Sequence, residues 1–114
     1  MIIKRSEMKN ETRNAMRGGP GKVDITHLAD PMSIKNGRLM AELTLEPGAG
    51  IGLHRHDNET EYYIITEGSG LVTEDEGEKD VAEGDIVVTG NGESHSIKNT
   101  GNKLLKFIAV IITD

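Results

Sequence analysis

Short runs of β-forming residues are separated by fourteen glycines along this chain, and this pattern constrains the fold more than any other feature. Residues 38–46 show the clearest strand, because every second residue from Leu39 to Leu45 is apolar and falls on one face. Further runs lie at residues 23–29, 60–66, 69–75, 79–82, 85–89, 94–98 and 103–112. The last run is the most apolar and is expected to be buried on both faces. Short strands bounded by glycine-containing turns predict an all-β sandwich or barrel, with no helix beyond a possible turn in residues 5–16.

A length of 114 residues corresponds to one ordinary domain. Hydrophobic residues make up 35% of the chain and only Tyr62, Tyr63 and Phe107 are aromatic, so the core must be mainly aliphatic. Basic residues cluster near the N-terminus, but glutamates lie between them, which is typical of a solvated segment. We therefore predict an N-terminal arm of residues 1–22, followed by a β-barrel domain of residues 23–114.

The charge and cysteine content exclude several classes of protein. Thirteen basic and nineteen acidic residues give a net charge of −6, which argues against nucleic-acid binding. The chain has no cysteine, so disulfides, thiolate zinc sites and cysteine nucleophiles are excluded. No apolar run reaches the roughly 18 residues needed to span a membrane, and charged residues interrupt any signal-peptide core. We expect a cytoplasmic protein without nucleic-acid or membrane partners.

The segment from Gly48 to Gly68 contains a candidate metal site. His54 and His56 are two residues apart, and side chains at this spacing in a strand project from the same face. Polar turn residues follow, so the chain can fold back and bring Glu61 onto the neighbouring strand. A further ligand, His95, would come from a distant segment. Three imidazoles and one carboxylate suit Mn, Fe, Co, Ni, Cu or Zn, and the sequence does not choose among these metals.

Two motifs in this region resemble those of the cupin family. The first cupin motif is glycine, five residues, His-x-His, three or four residues, glutamate, six residues and glycine. It is matched here by Gly48, His54, His56, Glu61 and Gly68. The second motif, glycine, five residues, Pro-x-Gly, two residues, histidine, three residues and asparagine, is matched by Gly84, Gly92, His95 and Asn99. Gly90 stands where the family usually has proline, which affects the turn and leaves the ligand set intact.

The resemblance implies a double-stranded β-helix, the cupin jelly-roll barrel. It also implies one divalent transition metal held by His54, His56, Glu61 and His95. Glu59 is the competing carboxylate, but only Glu61 has the spacing to Gly68 that the motif requires. The alternative is a cupin that has kept the fold and lost the metal.

The runs EYYIITEGSG and GESHSIKNTG are similar to small cupins described as oxalate-decarboxylase-like or mannose-6-phosphate-isomerase-like. This likeness leaves two functions open. The first is a metalloenzyme acting on a small carboxylate or keto-type metabolite, by decarboxylation, oxygenation or isomerisation. The second is a non-catalytic module that binds or senses a small molecule. Tyr63 is the candidate catalytic residue, because it shares the inward face with Glu61 and its hydroxyl can donate a proton; core packing is its alternative role.

Other residues near the motifs have weaker assignments. His27 is expected to be structural or at the surface, although it would line the cavity if it faced inward. Arg55 should point outward, because it lies between two inward-facing histidines. Glu93 and Ser94 flank His95 and can hydrogen-bond around the site. Met40 can line a cavity or a subunit contact. A homodimer is also expected, because the apolar last strand or the N-terminal arm can pair with a second copy.

Overall fold

The computed structural model describes residues 1–114 and contains ten strands in two antiparallel sheets. The strands are β1 (Lys9–Asn14), β2 (Lys22–His27), β3 (Gly37–Leu45), β4 (Gly50–Arg55), β5 (Glu59–Glu67), β6 (Ser69–Glu74), β7 (Gly77–Ala82), β8 (Ile86–Gly90), β9 (Ser94–Lys98) and β10 (Leu105–Thr113). The larger sheet has the order β1-β2-β3-β10-β5-β8, and the smaller has the order β4-β9-β6-β7. This arrangement is the predicted all-β jelly-roll barrel.

Three 3₁₀ turns are the only helical segments, at Arg5–Glu7, Met16–Gly18 and Pro31–Ser33. None of them has the length or the hydrophobicity needed to cross a bilayer.

The core lies between the two sheets. Alternation buries every second residue of β3, β5 and β10, as the pleat of a strand with one covered face requires. Fifteen buried residues from both sheets form one cluster, in which Tyr63 and Phe107 are the only aromatic members. The mainly aliphatic core is therefore confirmed.

The prediction that the last strand is buried on both faces is wrong. Leu105, Phe107 and Ala109 of β10 face the core and are fully buried. Ile108 and Val110, on the opposite face, are only half-buried, and Ile112 is 46% exposed. The reason is that no layer of this chain covers the outer face of the larger sheet.

A strand also occupies part of the segment in which only a turn was expected. β1 pairs antiparallel with β2 over its whole length. Its sequence, KNETRN, is polar and mostly exposed, so it lacks the alternation that indicates a strand. Two cross-strand side-chain hydrogen bonds support it, Thr12 to Asp24 at 2.8 Å and Thr26 to Asn10 at 2.6 Å. The division into an arm of residues 1–22 and a barrel of residues 23–114 stays a prediction.

The Met16–Gly18 turn packs closely against β4. A Cβ atom at Gly52 would overlap the carbonyl oxygen of Arg17, so only glycine permits this approach. Ala15 and Arg17 have φ angles of 50° and 53°, in the left-handed region that costs a residue with a Cβ atom about 1–2 kcal/mol. The N-terminal segment is thus held in a defined, strained conformation beside the smaller sheet.

Candidate metal centre

Three strands from the two sheets bring together four side chains that could hold a metal ion. His54 lies on β4 directly opposite His95 on β9, and His56 follows the end of β4. Glu61 comes from β5 of the larger sheet. These side chains meet between the sheets, and the residues His56, Glu61 and His95 are at most 4% exposed. We call His54, His56, Glu61 and His95 the four donors.

The four donors converge on one point through His Nε2 and carboxylate atoms. His95 Nε2 lies 3.1 Å from the Nε2 atoms of both His54 and His56. Glu61 Oε1 lies 2.9 Å from the Nε2 atoms of His56 and His95 and 3.8 Å from that of His54. Metal–nitrogen bonds of about 2.1 Å place adjacent ligands about 3 Å apart around an octahedral ion. Four of the five separations match that spacing.

The hydrogen bonds behind the three imidazoles direct their lone pairs toward the same point. His54 Nδ1 lies 2.7 Å from the Gly52 carbonyl oxygen, which only accepts, so this nitrogen carries the hydrogen. His56 Nδ1 donates to Glu59 Oε2 at 2.5 Å. His95 Nδ1 lies 2.8 Å from the Thr89 hydroxyl, which can accept its hydrogen. With Nδ1 protonated, each Nε2 presents a lone pair toward the same point, which is the arrangement that a metal ion needs from its ligands. The donor set therefore fits a divalent transition metal.

Glu59 lies next to the four donors, on the Nδ1 side of His56, and an arginine binds its carboxylate. Arg38 donates to both Glu59 carboxylate oxygens, at 2.7 and 2.8 Å. This bidentate bond, and more weakly the bond from His56, lowers the pKa of Glu59 to about 2 although burial opposes it. The structure brings Glu61, and not Glu59, to the three imidazoles. No sequence pattern predicts this pair, because Arg38 and Glu59 are far apart along the chain and meet only in the fold.

Charges inside the site shift the pKa values of the donors in opposite directions. Burial raises the pKa of Glu61, but in the metal-free site imidazoles that carry a proton on Nε2 donate to its carboxylate and hold this pKa well below its usual range. The hydrogen bond to Glu61 raises the pKa of His56, whereas burial lowers that of His95. Glu61 is therefore a carboxylate anion at neutral pH, as metal binding requires.

A cavity of about 170 Å³ lies over the donors and is bordered by His54, His56 and Glu61. At about 30 Å³ per water molecule, it holds about six waters, or one small organic molecule. Its remaining walls are mainly apolar, but Arg13, Arg17 and Arg38 also line it. A larger hollow of about 600 Å³ lies between N-terminal residues and the end of β2, and none of the four donors borders it.

Tyr63 borders the same cavity and packs in the core. Its ring stacks on His95 with 4.8 Å between centroids and contacts Phe107 at 4.6 Å. The residue is only 2% exposed. Burial, and then the nearby Glu61 carboxylate, raises the pKa of its hydroxyl well above the usual value. Both roles expected for Tyr63 are therefore compatible with its position.

The remaining residues singled out in the sequence lie around the site. His27 is half-buried, borders the cavity and bonds Glu11 at 2.6 Å through Nε2. Arg55 is exposed and pairs with Asp57. Glu93 accepts a hydrogen bond from the Gly90 amide in the turn before His95. The structure also places Ser94 opposite Arg55 and Met40 opposite Val110.

The fold and the site define a jelly-roll β-barrel protein with one cluster of three histidines and a glutamate between its sheets. Residues 41–111 match the family described as the Cupin domain. The chain belongs to the cupin family.

Two relatives from Thermotoga maritima and Methanocaldococcus jannaschii are similar in sequence. The chain is 42% identical over 113 residues to a T. maritima protein named oxalate-binding protein, covering 98% of this chain and 93% of that protein. It is 36% identical over 69 residues to an uncharacterised M. jannaschii protein, covering 60% of this chain and 55% of that one.

Solved structures support the same fold. A T. maritima crystal structure described as a predicted oxalate decarboxylase superposes with a TM-score of 0.92 at 41% identity, and both chains are fully covered. A sugar phosphate isomerase of the cupin superfamily from Silicibacter pomeroyi has a TM-score of 0.73 at 22% identity, covering 93% of this chain and 73% of that one. The second likeness shows the fold alone.

Proposed function

We propose that this cupin binds one divalent transition metal on the four donors and a small carboxylate in the cavity beside them. The observation that carries the proposal is the convergence of three imidazole lone pairs and one carboxylate at the floor of a cavity of about 170 Å³. The oxalate-binding relative, at 42% identity, makes oxalate the first ligand to test. The three arginines that line the cavity also favour an anionic ligand.

The chain's own residues orient the imidazoles of the site. The Arg38–Glu59 pair holds the His56 ring, and Thr89 and the Gly52 carbonyl do the same for the other two imidazoles. The stacked ring of Tyr63 closes one side of His95. A bound metal ion would supply Lewis acidity toward a carboxylate or keto oxygen.

Catalysis is the second candidate function, as a decarboxylase, oxygenase or isomerase of a small carboxylate or keto compound. The observation that favours it is the position of Tyr63 at the cavity wall near Glu61. A tyrosine hydroxyl is protonated at neutral pH, so it can donate a hydrogen bond or a proton to a ligand oxygen, although its raised pKa makes it a weaker acid. The likeness to mannose-6-phosphate isomerases, the identity of the metal and the cytoplasmic location stay predictions.

The first experiment measures the metal content of the purified protein by elemental mass spectrometry. We expect about one transition-metal ion per chain in the wild type and loss of this ion in His95→Ala. His27→Ala is the matched control, because it removes a half-buried histidine outside the four donors and should keep the ion. No metal in the wild type after reloading would contradict the proposal.

The second experiment titrates oxalate into the metal-loaded protein by calorimetry and assays the mixture for formate and carbon dioxide. Saturable binding that requires the metal supports the carboxylate site. Steady product formation that is lost in a His54→Ala, His56→Ala double variant would support the enzyme. Binding without product would favour the non-catalytic module, and the absence of any carboxylate binding would contradict both.

We also propose a homodimer formed through the outer face of the larger sheet. This face carries two apolar cross-strand rows, which are Val110–Tyr62–Val88 and Ile108–Ile64–Ile86. Ile86 and Val88 are 54% and 51% exposed. A contiguous apolar surface of this kind is typical of a contact between subunits, and a second copy offers a matching surface.

A further inference from the structure

The three arginines that line the cavity differ in their partners. Arg13 bonds Glu11 at 2.7 Å, and Arg38 bonds both oxygens of Glu59. The exposed side chain of Arg17 forms no hydrogen bond or salt bridge with the rest of the protein. It is therefore the one arginine at the cavity that has no carboxylate as a direct partner.

The backbone around Arg17 is held in a costly conformation that places its side chain at the cavity. Arg17 has a φ angle of 53° within the Met16–Gly18 turn, and Gly52 of β4 packs directly against its carbonyl oxygen. Met16, the preceding residue, packs against the core and lines the cavity with it. Non-glycine residues persist in the left-handed region only where surrounding structure enforces it, and such positions cluster at binding sites.

The charges at the cavity favour a dianion. The two arginine–glutamate pairs are each neutral, which leaves Arg17 and Glu61 to cancel one another. A divalent ion on the four donors then gives the site a net charge of +2. A monocarboxylate neutralises half of this charge, whereas a short dicarboxylate neutralises all of it within the available volume.

We propose that Arg17 binds the carboxylate oxygens of the ligand that face away from the four donors, and that it selects small dicarboxylates over monocarboxylates. This inference rests on the proposed metal-dependent carboxylate site and names its ligand class. Arg17 borders the same cavity as His54 and Glu61, and its side chain is exposed to a ligand that enters there. A planar guanidinium with several donors matches a carboxylate in two bonds.

The test compares oxalate with acetate by calorimetry on the metal-loaded full chain. Arg17→Asn removes the charge, and asparagine is the non-glycine residue that best tolerates a positive φ angle. We expect the Kd for oxalate to rise by about tenfold to a hundredfold, as the loss of hydrogen bonds to a charged group predicts. The Kd for acetate should change by less than about twofold, because acetate offers Arg17 no second carboxylate.

Arg5→Asn is the matched control, because Arg5 is an exposed N-terminal arginine that pairs with Glu42 and does not line the cavity. It should bind both ligands like the wild type. Arg17→Lys keeps the positive charge but lacks the planar guanidinium that forms two parallel hydrogen bonds with a carboxylate. It should therefore raise the Kd for oxalate by less than Arg17→Asn does. It also tests the inference if Arg17→Asn fails to fold.

Unchanged oxalate affinity in Arg17→Asn, or in Arg17→Lys alone if that is the folded variant, would overturn the role of Arg17 and leave the proposed function intact. A wild type that binds neither ligand when loaded with metal would instead overturn the proposed function, and the role of Arg17 with it.

Discussion

At the scale of single residues, Glu59 connects an exposed arginine to a buried donor. Its carboxylate takes two hydrogen bonds from Arg38 and one from His56 Nδ1. A carboxylate in this position fixes the tautomer of the imidazole and increases its basicity. Glu59 thus acts on a metal only through His56, which makes it a positioning residue.

Glu59→Gln should weaken metal binding by about tenfold to a hundredfold, the usual effect of losing such a supporting carboxylate. The dissociation constant can be measured by competition with a chromogenic chelator. Glu76→Gln, in the exposed turn between β6 and β7, is the control and should leave the affinity unchanged. Equal affinities for the two variants would show that Glu59 does not position His56.

Glu59 also predicts how the metal-free protein responds to acid. Its pKa is about 2 in the folded chain, below the ordinary 4.5, so its stabilising contribution is present above pH 4.5 and is lost as the pH falls toward 2. Between pH 5 and pH 3, the wild type should therefore lose more free energy of unfolding than Glu59→Gln. Urea unfolding at both pH values measures this difference. A loss in Glu59→Gln as large as that in the wild type would refute it.

At the scale of strands and turns, Asn99 joins the end of β3 to the turn between β9 and β10. It is 1% exposed, and its side-chain amide donates to the carbonyl oxygens of Leu45 and Lys103 at 2.9 and 2.8 Å. Its side-chain oxygen accepts from the Gly101 amide at 3.0 Å. The last residue of the second motif therefore holds the end of β3 against the turn between β9 and β10.

Asn99→Ala should lower the free energy of unfolding by about 3 kcal/mol, because it removes three hydrogen bonds, one of them to the carbonyl oxygen of the buried Leu45. Chemical denaturation measures this change. Asn102→Ala, at an exposed position in the same turn, should cost much less. If both substitutions had equal effects, the hydrogen bonds of Asn99 would not be important for stability.

Sequence patterns predicted the elements whose signals are local. Alternation placed β3, and runs of β-forming residues between turns placed β5, β6 and β9, each within about two residues. β1 was missed because its polar residues gain their structure from pairing with β2. The spacing of the two motifs predicted that the four donors would meet. Arg38 and Arg17 could not be assigned, because their positions depend on contacts with Glu59 and Gly52, which are distant along the chain.

At the scale of the whole molecule, the two faces of the larger sheet differ in their exposure to solvent. The inner face contributes to the common core, whereas the outer face keeps Ile86, Val88 and Ile112 about half exposed. Burial of apolar area contributes roughly 25 cal/mol per Å², so covering this face with a second copy would be favourable. The proposed homodimer is the assembly that this surface favours.

Light scattering at tens of micromolar, about the concentration at which contacts with a Kd of 10⁻⁵ M fill, should give the mass of a dimer. Ile86→Lys combined with Val88→Lys should give the mass of a monomer, because two charges then occupy the contact. Leu104→Lys, a part-exposed apolar residue in the turn before β10, should remain dimeric. A monomeric wild type would contradict the prediction.

The central position of β10 affects the order in which the chain can fold during synthesis. β10 pairs with β3 on one side and with β5 on the other, and no backbone ladder joins those two strands directly. When the ribosome has delivered the first nine strands, the larger sheet is still two separate pieces, β1-β2-β3 and β5-β8. Each piece has an unpaired edge next to the gap, and such edges are prone to wrong pairing. The larger sheet supplies Glu61 to the four donors. It can therefore be completed only after β10 has been synthesised.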